Sequence, residues 1–164
     1  MSIRNKYEAE LAQVFDKLVT MCRETERAID RSVEALVRRN PELSRAVIDE
    51  DKNIDRLEHE IEQDCLKILL MEHPVASDFR DVSAALKMIT DLERIADQAA
   101  DISEIALQFG SEQYIKEPEH IVEMAKLATA MVKDSVESYI NRDVALARSL
   151  DARDDRVDEL FETV

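Results

Sequence analysis

Apolar residues recur every three or four positions along most of the chain, which is the spacing of one face of an α-helix. In the first segment they are Leu11, Val14, Leu18, Met21, Cys22, Ile29, Val33 and Leu36. The pattern is interrupted at Asn40-Pro41, at "HPVASD" and at "GSEQYIKEP". It therefore predicts helices over about 4–39 and 41–72, a third ending near 109, a fourth from 118 to about 141, and a fifth after Asp143.

Residues that commonly begin or end helices stand at these breaks. Asn40, Ser77 and Asp143 are suited to N-caps, and Gly110 to the C-terminal cap of the third helix. The chain of 164 residues has one glycine and only 4% aromatic residues, whereas a sheet needs more glycine-marked turns. We expect an all-α fold in which long antiparallel helices form a three-helix bundle.

The remainder of the chain repeats the beginning at an offset of 103 residues. Apolar, capping and acidic positions all correspond, with Met21 on Met124, Val33 on Val136, Asn40 on Asp143, Asp51 on Asp154 and Asp55 on Asp158. The repeat predicts a first bundle over 1–110 and the first two helices of a second bundle over 118–164. The counterpart of the third helix lies beyond position 164, so we expect a truncated two-bundle protein.

The net charge of −15 repels nucleic acid and anionic lipid, and it favours cations or a partner with a basic patch. Cys22 and Cys65 lie within apolar helical patterns, which favours free buried thiols and a reducing compartment. The beginning of the chain has no apolar signal core, and no apolar run approaches 18 residues. We therefore expect a soluble cytoplasmic protein with no integral membrane segment.

Acidic residues form a stripe on two of the predicted helices. On the second helix they are Asp51, Asp55, Glu58 and Glu62, and on the third they are Glu93, Asp97 and Asp101. Antiparallel packing about the turn at Pro74 places Asp51 level with Asp97, and Asp55 level with Glu93, to within about 1–2 Å at 1.5 Å per residue. Converging carboxylates raise one another's pKa unless a cation binds, which predicts a metal site.

A solvated acidic face is the alternative, with Lys52, Arg56 and Arg94 available to form ion pairs. Carboxylate-only ligands suit iron, manganese, magnesium or calcium. Neither Glu93 nor Asp97 has a histidine three residues later, so the pattern differs from the Glu-x-x-His motif of di-iron bundles.

Three segments together resemble the PhoU family of cytoplasmic regulators of phosphate uptake: "VIDEDKNIDRLEHEIEQDCLKIL", "HPVASDFRDV" and "MITDLERIADQAADI". The family's hallmark is an acidic residue, three others, then aspartate. The motif occurs here at Asp51–Asp55, Glu93–Asp97 and Asp154–Asp158. A fourth copy is absent, and Phe161 stands where an acidic residue corresponding to Glu58 is expected, so only the first metal site can be complete.

The resemblance implies a negative regulator of phosphate transport and phosphate homeostasis, not an enzyme. Its implied partners are the nucleotide-binding subunit of a phosphate ABC transporter and a phosphate-sensing histidine kinase. Its implied cofactor is a multinuclear metal cluster, with iron first and zinc, manganese, magnesium or calcium as alternatives. The metal ligands would be Asp51, Asp55, Glu93, Asp97, Asp154 and Asp158, with Asp101 as an outer ligand.

Two other functions are compatible with the residues: a carboxylate-bridged metal oxidase or phosphatase, and a metal-free helical adaptor. The last two helices also carry apolar stripes for which the chain offers no third helix. An exposed apolar patch on a soluble protein marks an interface, so we expect a homodimer or higher oligomer. The alternative is that this half docks on the first bundle of its own chain.

Overall fold

The structure is a computed structural model that describes residues 3–72, 74–110 and 118–164. It contains α1 (Ile3–Arg38), α2 (Pro41–Met71), α3 (Ala76–Phe109), α4 (Glu119–Asn141) and α5 (Val144–Phe161). No strand occurs in these residues. The predicted all-α class is therefore confirmed. The linker at 111–117 and His73 lie outside the described residues.

The first three helices pack against one another as a bundle. The apolar stripes that the sequence predicts are the faces they bury. Fully buried side chains from each helix include Val14, Leu18 and Met21 of α1, Ile61 and Cys65 of α2, and Val82, Ala85 and Ile89 of α3. Cys22 and Cys65 are buried free thiols, as expected.

Most of the predicted caps are confirmed. The Asn40 side chain accepts hydrogen bonds from the backbone N–H groups of Glu42 and Leu43, both at 3.1 Å. Asp143 accepts one from Leu146 at 2.9 Å. Gly110 follows α3 with a φ of +56°, a left-handed value that glycine adopts without strain.

The predicted cap at Ser77 is wrong. Helix α3 begins at Ala76, and the residue in the cap position is Val75, which makes no side-chain capping bond. Val75 has the extended backbone of a capping residue, so Ser77 already lies in the first helical turn. Its hydroxyl therefore cannot occupy the capping position.

Asn40→Ala should lower the free energy of unfolding by about 0.5–2 kcal/mol, because it leaves two N–H groups at the start of α2 without their acceptor. Urea unfolding measures the change. Asn53→Ala, at an exposed position within α2, is the control and should alter stability little. Equal losses in the two variants would contradict the capping role of Asn40.

Helix α4 packs along α1, so the expectation that nothing in the chain covers its apolar stripe is wrong for part of that stripe. Val132 and Val136 join the core of the first bundle. The Tyr139 hydroxyl donates a hydrogen bond to the backbone carbonyl of Asp81 on α3 at 2.5 Å, and Arg142 forms an ion pair with the Asp81 carboxylate at 2.7 Å. The aromatic ring of Phe15 also contacts Tyr139 edge to face.

An apolar groove of about 360 Å³ remains between α3, α4 and α5. Among its lining residues are Met88, Leu92 and Ile95 of α3, Ala128 and Met131 of α4, and Val157 of α5. Helix α5 packs principally on α4. The division into domains 1–110 and 118–164 stays a prediction.

Candidate metal centre

Three carboxylates from α2 and α3 meet on one side of the helix pair. One oxygen from each of Asp51, Asp55 and Asp97 lies within 4.8 Å of the others. Asp55 and Asp97 each follow a fully buried residue, Ile54 and Ala96 respectively. Burial of those two positions turns the next residue on each helix to the edge of the interface. The small side chain of Ala96 permits a close approach of the helices.

The electrostatics of this group disfavour ionisation. Partial burial raises the pKa of Asp51 to about 6, and the negative charges of Asp55 and Asp97 add to the effect. The pKa of Glu93 is also raised, first by burial and then by the charge of Asp97. Holding these acids together in the ionised form therefore costs free energy that a bound cation would recover.

Basic side chains do not neutralise the group. Arg94 forms its ion pair with Asp91, at 3.6 Å. Within 3–72, 74–110 and 118–164, no ion pair joins a basic residue to Asp51, Asp55 or Asp97. This arrangement does not match an acidic face neutralised by its neighbours. All three ligand atoms are carboxylate oxygens, a donor set that fits hard or intermediate cations.

The structure places the other predicted ligands differently. Glu93 is half-buried and electrostatically coupled to the group but is not one of its three close members. Asp101 is exposed, accepts a hydrogen bond from Gln98 at 3.4 Å, and acts on Asp51 through its charge. Asp154 lies at the edge of the apolar groove, and Asp158 is exposed on α5. In the described part of the chain these two do not form a second close group.

Sequence reasoning missed Thr90 as part of this surface. Its hydroxyl donates a hydrogen bond to Glu58 at 3.3 Å and so links α3 to α2 one turn from the acidic group. The sequence spacing could have indicated this position, because Thr90 precedes Glu93 by three residues and therefore lies on the same side of α3.

Comparison with known proteins covers the part of the chain that contains these acidic residues. The family model described as the PhoU domain matches residues 18–106 and 121–164, a range that includes Asp51, Asp55, Glu93 and Asp97. The chain belongs to the PhoU family. This confirms the resemblance drawn from the acidic motifs.

Similarity to individual PhoU proteins supports the same family assignment. The phosphate-specific transport system accessory protein PhoU homolog of Aquifex aeolicus is 37% identical over 93% of this chain and 69% of its own length. The accessory protein PhoU of Escherichia coli is 28% identical over 99% of this chain and 67% of its own length. The crystal structure of PhoU from Pseudomonas aeruginosa superposes with a TM-score of 0.91, at 28% identity, over 96% of this chain and 76% of that one.

The raised pKa of Asp51 predicts how the metal-free protein responds to pH. Its pKa rises from 3.8 to about 6 on folding, so ionisation penalises the folded state increasingly as pH rises through that interval. In the presence of a chelator at pH 7.5, the Asp51→Asn variant should therefore unfold at a higher urea concentration than the parent protein. Its free energy of unfolding should be greater by about 1 kcal/mol after solvent screening. At pH 4 the gain should disappear.

Asp49→Asn, at an exposed position two residues earlier on α2, is the matched control and should not stabilise the protein. Equal stability of the parent protein and Asp51→Asn at pH 7.5 would show that the carboxylate is not penalised by its surroundings.

Proposed function

We propose that this chain is a metal-binding regulator of phosphate transport. The observation that carries the metal part is the close approach of Asp51, Asp55 and Asp97 without a basic partner among the described residues. In the proposal these three hold the metal, Glu93 adds a carboxylate from the same side of α3, and Asp101 acts as an outer ligand. The metal is a multinuclear cluster, of iron first, or of zinc, manganese, magnesium or calcium.

Elemental analysis of protein purified without chelator tests the metal. Stoichiometric metal that is removed by chelator and restored on adding back the ion supports the site. A metal content at background level, with no thermal stabilisation by any of the five ions, would favour the metal-free helical adaptor. Oxygen turnover by iron-loaded protein would instead favour the carboxylate-bridged enzyme.

The regulatory part of the proposal rests on the relatives, which are named accessory proteins of the phosphate-specific transport system. We infer a cytoplasmic negative regulator of phosphate uptake and of the phosphate response. Its partners would be the nucleotide-binding subunit of the phosphate transporter and a phosphate-sensing histidine kinase. The net charge of −15 suits a partner with a basic surface. No described helix is long and apolar enough to cross a membrane.

Deletion of the coding sequence tests this role in cells. Phosphate-response genes should be expressed in high phosphate when the protein is absent, and re-expression should restore repression. Purified protein should bind the transporter subunit or the kinase, with an affinity that falls as salt rises. Unaltered phosphate-dependent expression in the deletion strain would refute the regulatory role and leave the metal site to be judged by its own experiment.

Self-association is the remaining part of the proposal. The apolar groove between α3, α4 and α5 is the surface through which we propose that a homodimer or higher oligomer forms. Asp154 and Asp158, on the helix that borders this groove, are proposed as ligands of a second, incomplete site. Light scattering at micromolar concentration measures the mass, and a particle of 18.8 kDa would show that the chain remains monomeric.

A further inference from the structure

The apolar groove between α3, α4 and α5 is elongated along its helices. On α3 its apolar lining extends from Met88 through Leu92 to Ile95, which is about 10 Å at 1.5 Å per residue. On α4 the lining includes Ala128 and Met131, three residues apart on the same side of that helix. A groove with stripes of this spacing on its walls is the surface that an amphipathic helix fills.

The internal repeat also indicates a helix as the occupant. At the offset of 103 residues α4 corresponds to α1 and α5 to α2, and the groove residues Ser135 and Val157 correspond to Ser32 and Ile54. Ser32 and Ile54 are buried in the first bundle, in which α1 and α2 both pack against helix α3. The faces of α4 and α5 that border the groove therefore have the pattern of faces that pack on a helix.

The α5 edge of the groove is acidic. Asp154 lines the groove, and Asp151 and Asp158 lie three residues before it and four residues after it, on the same side of α5. All three side chains are exposed. In 3–72, 74–110 and 118–164, none of them forms an ion pair. Their negative charges are therefore available to a partner.

The basic residues of α5 do not neutralise this edge. Arg153 and Arg156 form ion pairs with acidic residues of α4, at 2.5 and 3.1 Å. Arg148 precedes Asp154 by six residues, which places it about 120° away around the helix at 100° per residue. The bases of α5 and the acids of its groove side thus occupy different parts of the helix surface.

The α3 edge carries mixed charge. Asp91 lines the groove and is paired with Arg94 at 3.6 Å, and Lys87 is exposed one turn earlier. The two edges together therefore carry four acidic and two basic side chains, which are Asp91, Asp151, Asp154 and Asp158, and Lys87 and Arg94. The groove combines an apolar floor with a net negative border, and the excess of negative charge lies on α5.

We propose that the apolar groove docks an amphipathic helix of another protein, whose apolar residues enter the groove and whose basic residues lie along α5. Such docking rests on the regulatory role proposed above and names the surface and the element through which a partner binds. Burial of the apolar stripe supplies affinity, and the complementary charges fix the orientation of the helix. A second copy of the chain brings the same acidic edge to the groove, so a basic helix should displace a homodimer formed there.

Binding of a labelled peptide to the full chain, measured by fluorescence anisotropy in the presence of a chelator, tests the proposal. The probe is a helical peptide of about 20 residues with leucine at every third or fourth position and lysine at the flanking positions. It should bind the parent protein, and its affinity should fall as salt rises. In light scattering, it should convert any dimer to a particle of one chain and one peptide.

Apolar substitutions locate the binding surface. Phe161 follows Val157 by four residues on the same side of α5 and is 73% exposed, so it extends the apolar lining. Met131→Gln combined with Phe161→Gln should weaken peptide binding at least about tenfold, because two apolar contacts are lost. Circular dichroism and melting curves confirm that the variant folds.

Charge substitutions test the role of the α5 edge. Asp154→Asn combined with Asp158→Asn should weaken binding of the lysine peptide about three- to tenfold. Asp49→Asn combined with Asp155→Asn changes the net charge equally. Because Asp49 is on α2 and Asp155 lies 100° around α5 from Asp154, this control should leave the affinity nearly unchanged.

Two further peptides test the chemistry of the occupant. A peptide with the same leucine positions but glutamate at the flanks should bind at least about tenfold more weakly. A peptide of residues 76–109, which has seven acidic and three basic residues, should also bind more weakly than the lysine peptide.

The proposal is overturned if the lysine peptide does not bind the parent protein, or if either acidic peptide binds as tightly. It is also overturned if neither pair of groove substitutions weakens binding. The deletion experiment measures the regulatory role without reference to the groove, so that role and this docking site can fail separately.

Discussion

Replacing Asp55 and Asp97 together by asparagine should abolish metal binding and the thermal stabilisation that metal confers. A ligand that binds only the folded state adds RT ln(1 + [L]/Kd), which is about 2.7 kcal/mol at 100 times Kd. For a chain of this length that corresponds to an increase in Tm of about 5–10 °C for the parent protein and none for the double variant. Calorimetry with and without the ion, alongside elemental analysis, measures both quantities.

The control for this experiment changes the net charge by the same amount as the test variant but places the substitutions outside the close group. Asp49→Asn combined with Asp91→Asn removes two exposed carboxylates from the same helices and should keep the metal. The proposed site is wrong if the Asp55 and Asp97 variant retains the metal content of the parent protein. Loss of metal from both double variants would indicate nonspecific attraction by acidic surface.

Truncation of the core should have an effect of similar or larger size. Ile61 has no exposed surface and lies on the face of α2 that packs into the first bundle. Ile61→Ala removes buried methyl and methylene groups and leaves a cavity, so the free energy of unfolding should fall by about 2–5 kcal/mol. Equilibrium unfolding in urea at fixed pH, in the presence of chelator, measures the change without a contribution from metal.

Leu70→Ala is the control on the same helix. Leu70 is 72% exposed, and its truncation should change stability by no more than about 0.5 kcal/mol. If the free energy of unfolding falls by the same amount in the Ile61→Ala and Leu70→Ala variants, the burial pattern of α2 is incorrect.

The two predictions concern two neighbouring parts of the α2 surface, its buried apolar face and the acidic edge beside it. The apolar face stabilises the bundle, whereas the repulsion between carboxylates at the acidic edge lowers the stability of the metal-free protein. Asp51→Asn should therefore stabilise the metal-free protein, and the Asp55 and Asp97 variant should lose the response to metal. A gain in stability without the ion, together with a loss of the stabilisation that the ion confers, is the signature of a binding site. Substitution of a merely structural carboxylate would not give both effects.

The sequence by itself determined the helices, most of their ends and the position of the acidic edge. These features depend on local physics: apolar residues at a 3.6-residue period, a side-chain acceptor at Asn40, and the left-handed φ available to Gly110. The level at which Asp51 and Asp97 meet also followed from the sequence, because a short turn between antiparallel helices and a constant rise per residue leave little freedom.

Only the tertiary structure decided which of the aligned acids come within a few ångströms. Asp55 and Asp97 reach Asp51 while Glu93 does not join the close group, and this depends on helix rotation, interaxial distance and side-chain rotamers. The docking of α4 was equally undetermined, because an apolar stripe specifies burial but not its partner. Ion pairs between residues distant in sequence, such as Arg4 and Asp78, likewise exist only after the helices pack.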